Sequence, residues 1–203
     1  MPLLYQKAIA PDALLGVWEM KEAEQELLLL HPFLHRHIAH LDTTFRHAVR
    51  RQEFLSVRAL LSLLIHDDTI DISYTANRQP LLSDGRHISI SHTRGYAAVL
   101  VSTAHHVGID IERKGRNIRR VTSHFLRHDE QADTDDDLLL HWCAKEAVYK
   151  LFPDDHLTTS EIKVCPPSAD EETLWYAANL KRNVSVPLLT TDHPHFLLTC
   201  VIL

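Results

Sequence analysis

The chain has 203 residues, 45% hydrophobic and 24% charged, with a formal net charge of −6. The apolar share excludes a disordered tail, and the acidic balance argues against a dedicated nucleic-acid binder, which carries a basic excess. Three cysteines with no CxxC pair argue against a disulfide framework or zinc knuckle, and no apolar run approaches the ~20 residues of a membrane span.

The opening MPLLYQKAIAPDALL lacks the cationic start and sustained apolar region of a signal peptide. Together with the sparse cysteines it predicts a cytoplasmic protein. Residues 17–30 predict an acidic-headed helix with Trp18, Ala23, Leu27 and Leu30 on one face. Residues 43–65 carry the longest helical pattern, capped by Thr43 or Thr44, and its spacing sets Arg46, Arg50 and Arg58 near one another. Strand patterns follow at 70–74, 87–91, 96–102 and 106–112, with a turn at Asn77-Arg78-Gln79-Pro80 and a hairpin closed by Thr93-Arg94-Gly95. Residues 117–127 predict a helix, 133–137 an acidic loop, and 138–151 a second strong helix. Short strands are predicted at 161–164, 174–180 and 196–203. Each half reads as a helix followed by strands, which predicts an α+β fold of two similar subdomains, residues 1–103 and 104–203. Their charges are −1 and −5.

Sixteen histidines include His35, His37 and His40 within six residues, but no HExxH arrangement. They read as scattered surface residues.

Three motifs carry chemistry. In GIDIE, Asp110 and Glu112 share one face of a strand while Ile109 and Ile111 take the other. At ~3.3 Å rise per residue the two carboxylates can converge. Convergence to ~4 Å without a counter-charge costs about 4 kcal/mol at an effective dielectric near 20. A divalent cation with a taste for hard oxygen removes that cost; so would solvent, or pairing with Arg113 and Lys114. In HWCAKEAVYK, Glu146 and Lys150 are i, i+4 neighbours on a helix, with Lys145 beside Glu146. This suits either a surface ion pair or an acid on a metal with lysines on phosphate. In SISH, Ser91 and His92 stand at a strand end, where hydroxyl, imidazole and turn amides can receive phosphate or simply stabilise the turn. No G-x-S-x-G elbow supports a serine hydrolase.

In this order, Arg58 within a helix, RQP at 78–80, SISH, GIDIE and WCAKEAVYK resemble the motifs of the 4′-phosphopantetheinyl transferase superfamily, and among them the longer pseudo-dimeric branch of surfactin-synthetase-activating type. The resemblance implies two related α+β halves with pseudo-twofold symmetry. It implies transfer of the 4′-phosphopantetheine arm of coenzyme A to a serine of an apo carrier protein, with Mg²⁺ and release of adenosine 3′,5′-bisphosphate. Position by position, Asp110, Glu112 and Glu146 match metal-binding acids, and Glu146 also the base toward the carrier serine. Lys150 matches the lysine that assists the pyrophosphate and leaving group. Arg58, Ser91 and His92 match contacts to coenzyme A phosphates, and Lys145, in the same motif as Glu146 and Lys150, is a further phosphate contact. Arg78-Gln79 replaces the usual Gly-Lys. The basic run Arg113, Lys114, Arg116, Arg119 and Arg120 is either a solvated loop or an attraction for an acidic carrier. A chain holding both halves implies a monomer, with no membrane or nucleic-acid partner. Two other readings use the same residues: a non-catalytic relative that binds coenzyme A or a carrier, and another metal-dependent phosphoryl enzyme such as a nuclease.

Overall fold

In the computed structural model, which describes residues 2–167 and 174–203, β1 (Leu3–Ala10) pairs antiparallel with β2 (Ala13–Glu19). The helix expected over 17–30 therefore divides. Its first three residues belong to β2, and only Glu24–Leu30 (α1) is helical. Partners on both edges of β2 decide the matter, because they satisfy its backbone groups while Trp18 is fully buried.

The long helix is also shorter than its pattern. Ile38–Thr44 forms its own helix (α2), and Ala48–Ile65 forms α3. The Thr43 hydroxyl donates to the carbonyls of Ala39 and His40 within α2, so neither threonine caps α3, whose N-cap is His47. Arg46 falls between the helices and is not part of an arginine row on α3.

The chain continues through β3 (Ile72–Tyr74), β4 (Pro80–Leu82), β5 (His87–Thr93) and β6 (Tyr96–Ser102). The antiparallel sheet has the order β1-β2-β6-β5, and β3 and β4 form a separate hairpin. Helix α3 lays Leu55, Leu60 and Leu64 into a core with Trp18, Val99 and Val101. These elements make up the unit Met1–Ala104.

The second unit, His105–Leu203, opens with β7 (Val107–Arg113). Only Thr122–Phe125 of the helix expected at 117–127 is α-helical (α4), after a 3₁₀ turn. The acidic tract expected as a loop instead starts a helix, α5 (Asp135–Leu151). The Thr134 hydroxyl accepts from the Asp137 amide at 3.1 Å, and three aspartates fill the first turn, where the helix dipole favours negative charge. The remaining strands are β8 (Ile162–Cys165), β9 (Tyr176–Asn179), β10 (Val184–Pro187), β11 (Leu189–Asp192) and β12 (Phe196–Ile202). They form sheets β11-β12-β7 and β10-β9-β8.

Both units share a wiring. In each, a strand precedes the long helix and pairs antiparallel with the unit's last strand: β2 with β6 under α3, β7 with β12 under α5. The expected order of helix then strands missed the leading strand of the first unit, while the strand expected at 106–112 is the leading strand of the second. Both units mix helix and antiparallel sheet, so the fold is α+β. Among the described residues no helix is long and apolar enough to cross a membrane.

Candidate active site

The site in the second unit begins with a glycine. Gly108, Asp110 and Glu112 share one face of β7, the face on which α5 lies. A Cβ on Gly108 would stand 2.0 Å from the Ala147 carbonyl oxygen. Only glycine lets the helix come so close, and Ala144 and Ala147, both fully buried, continue the close seam. That approach sets the acids of the strand against the side chains of α5.

Asp110 is 6% exposed, and its Oδ1 accepts from Lys150 Nζ at 2.9 Å. Lys150 also donates to the Ile109 carbonyl at 2.8 Å, so the lysine is clamped to the strand. Glu112 Oε1 accepts from the Trp142 indole N–H at 3.0 Å and pairs with the Arg116 guanidinium, which lies 5.1 Å from the Trp142 ring centre. Glu146 is half-buried on the same helix. Burial first, then the Asp110 and Glu112 carboxylates, raise its carboxyl above the ordinary value, while Lys150 and Arg116 oppose them. Cys143, one turn before Ala147, is fully buried. Burial and the Asp110 carboxylate push its thiol well up, so it stays neutral and serves as packing.

Three carboxylates, two of which raise the proton affinity of the third, Glu146, offer only oxygen donors and fit a hard divalent cation. Among the described residues no three His, Cys, Asp or Glu side chains already form a metal cage. Mg²⁺ requires none, because it usually takes one or two carboxylates and completes its shell with water and phosphate oxygens. Asp110, Glu112 and Glu146 are the residues that would hold it.

Lys145 is not brought to these acids. Its side chain is 1% exposed, and its ammonium donates to the Phe125 carbonyl (2.7 Å), Glu130 Oε2 (2.8 Å) and the Thr159 carbonyl (3.1 Å). Three acceptors use its three donors, which leaves none for phosphate and corrects the expected contact. Burial lowers its proton affinity, and Glu130 opposes that. Glu130, missed in the sequence, is fully enclosed and also accepts from the amides of Arg127 and Val164. No spacing rule connects a loop acid to a helical lysine fifteen residues on.

The other expected residues lie in the first unit. Arg58 of α3 is 6% exposed, 3.4 Å from the Phe54 ring centre, and donates to the Ile72 carbonyl at 3.1 Å. Its Nε–H has no acceptor among the described residues. Burial lowers its pKa, against Tyr74 and Asp71. Ser91 and His92 are consecutive on β5, still paired with Ala98 and Ala97, so their side chains leave opposite faces. His92, 36% exposed, faces Glu53 of α3 with Nδ1 3.5 Å from the carboxylate, while Ser91 is buried on the other face. The two side chains therefore do not form one donor pair. In the turn before β4, Arg78 has φ of 63°, the left-handed region that favours glycine. The usual glycine at this position is thus explained by backbone shape, which Arg78 retains.

The basic run is largely paired within its own unit. Lys114 meets Asp136 at 2.7 Å and Asp192 at 2.5 Å, Arg119 meets Asp135 at 2.5 Å, and Arg116 meets Glu112.

Comparison with known proteins matches both units to one family. The 4′-phosphopantetheinyl transferase N-terminal domain matches residues 42–102, and the 4′-phosphopantetheinyl transferase superfamily matches residues 106–195. No curated protein matches the chain closely enough to count as a relative. The two matches cover most of the chain, each on a different unit, and the chain belongs to the 4′-phosphopantetheinyl transferase superfamily.

Proposed function

We propose that the protein moves the 4′-phosphopantetheine arm of coenzyme A onto a serine of an apo acyl or peptidyl carrier protein, in the manner of a holo-[acyl-carrier-protein] synthase. The reaction depends on Mg²⁺ and releases adenosine 3′,5′-bisphosphate. The observation that carries this reading is the joint placing of Asp110, Lys150 and Glu146, with Glu112 on the same strand face. Three carboxylates and two cations, Lys150 and Arg116, leave the group with one net negative charge. A divalent cation makes it net positive, which suits a pyrophosphate.

Glu146 is the base. It takes the proton from the carrier serine hydroxyl, within the same group of acids that would hold the metal. The serine oxygen attacks the phosphorus that bears pantetheine, and the bridging P–O bond breaks with its electrons on the departing nucleotide phosphate. Lys150, clamped by Asp110 and the Ile109 carbonyl, holds a positive charge where that charge develops. Bound at the acids, Mg²⁺ supplies charge neutralisation to the pyrophosphate. In the first unit, Arg58, His92 and Ser91 are the candidates for the coenzyme A phosphates. The carrier is acidic, and the enzyme acts as a cytoplasmic monomer.

The test is mass spectrometry. With Mg²⁺ and coenzyme A, an apo-carrier from a small panel gains about 340 Da, the mass of the transferred arm. Glu146→Gln lowers the rate by about 10²–10⁴-fold, the range for a lost general base. If no carrier of the fatty-acid, polyketide or peptide-synthetase type gains mass while coenzyme A still binds, the protein is a non-catalytic binder instead.

A further inference from the structure

The acid at the end of β7 already has a cation. Arg116 returns to Glu112 because Gly115, with φ of +79°, turns the chain back on itself directly after the strand. Glu112 Oε1 thus receives both the guanidinium and the Trp142 indole, and the guanidinium lies over that indole. Phe125 meets the same indole edge-on at 5.3 Å. The Arg116 charge also reaches Glu146. Its neighbours Lys114 and Arg119 pair with aspartates at the start of α5, so Arg116 alone of these three is directed at the acids.

We propose that Arg116 is an exchangeable counter-ion: it neutralises Glu112 until a divalent cation takes that carboxylate, then pivots on Trp142 to the coenzyme A phosphates. This rests on the function proposed above. The physical basis is a competition. A guanidinium and a metal cannot share one oxygen at full strength, and Arg116 is 35% exposed, so its movement costs little packing. The indole provides a support during the exchange, through its cation–π contact with the guanidinium. A planar fork suits carboxylate and phosphate alike, which lysine does not.

The experiment uses Mn²⁺ as the probe, with free metal read by electron paramagnetic resonance, on the full chain with and without coenzyme A. Removal of the competitor in Arg116→Ala tightens Mn²⁺ alone by about two- to fivefold, the range for an exposed ion pair. With coenzyme A present the gain vanishes or reverses, because the phosphates lose a partner. Arg119→Ala, which removes the same charge from the same loop, changes Mn²⁺ affinity less than Arg116→Ala. Arg116→Gln repeats the comparison. An Arg116→Ala protein that binds Mn²⁺ no tighter than wild type, or an equal gain in Arg119→Ala, overturns the counter-ion role and leaves the transferase reading intact. A wild-type chain that binds no Mn²⁺ with or without coenzyme A overturns both.

Discussion

At the scale of single residues, Glu146 bears the conflict between stability and chemistry. Its carboxyl is raised by burial and by Asp110 and Glu112, so the charged form needed for a base is the costly one. A group raised in the folded state binds its proton more tightly there. The stability it contributes is full below the unfolded value and is lost as the pH rises through the folded value. With metal removed by EDTA, Glu146→Gln therefore melts higher than wild type at pH 7.5. The gap closes as the pH falls toward 4.5, the ordinary value. The same substitution removes activity, the trade expected where a site is held against its own stability. A melting scan of both proteins across that pH range is decisive, and a Glu146→Gln protein less stable than wild type at pH 7.5 would mean that the carboxylate is a net structural tie.

At the scale of elements, the close seam between β7 and α5 brings the acids and the helix side chains together, and Gly108 permits it. A methyl at this position meets a backbone carbonyl, which no rotamer change can move. Gly108→Ala therefore pushes α5 away from the strand. Overpacking of this kind costs about 1–3 kcal/mol, and the displaced helix carries Glu146 and Lys150 away from Asp110. Urea unfolding and the transfer rate should both fall. An unchanged midpoint would show that the helix does not need this approach.

These elements differed in how openly the sequence displayed them. Short apolar runs at 96–102 and 106–112 revealed two strands, which are buried along almost their whole length. The same rule failed at 17–19, where Val17, Trp18 and Glu19 continued a plausible helical face into α1. It also failed at Leu3–Ala10, an edge strand whose polar interior residues show no clean period. Asp110 and Glu112 were readable because two residues on a strand share a face. Lys145 was misread because its neighbour Glu146 points elsewhere: adjacent helical residues diverge, and the partner that captures Lys145 comes from a loop. Arg116 was read as part of a basic run, since the turn at Gly115 that aims it at Glu112 leaves no spacing signature.

At the scale of the whole molecule, the electrostatics oppose the proposed substrates. The chain carries −6, most of it in the second half, and coenzyme A and an acidic carrier are both anions. Long-range attraction cannot assemble this complex, so the charge must be reversed locally, at the acids. On the proposed function, metal and coenzyme A would depend on one another, each supplying the charge that the other requires. Linkage demands that the dependence be reciprocal. If Mn²⁺ tightens coenzyme A by some factor, coenzyme A must tighten Mn²⁺ by the same factor, and a coupling of about 5–150-fold is the usual range. Calorimetry of coenzyme A with and without Mn²⁺ gives one side, and paramagnetic titration of Mn²⁺ with and without coenzyme A gives the other. Asp110→Asn should reduce both factors together, because it removes charge from the proposed metal site while leaving the first unit untouched. Coenzyme A that binds equally well in EDTA would place its pyrophosphate away from Asp110, Glu112 and Glu146, and the acids would then need another purpose.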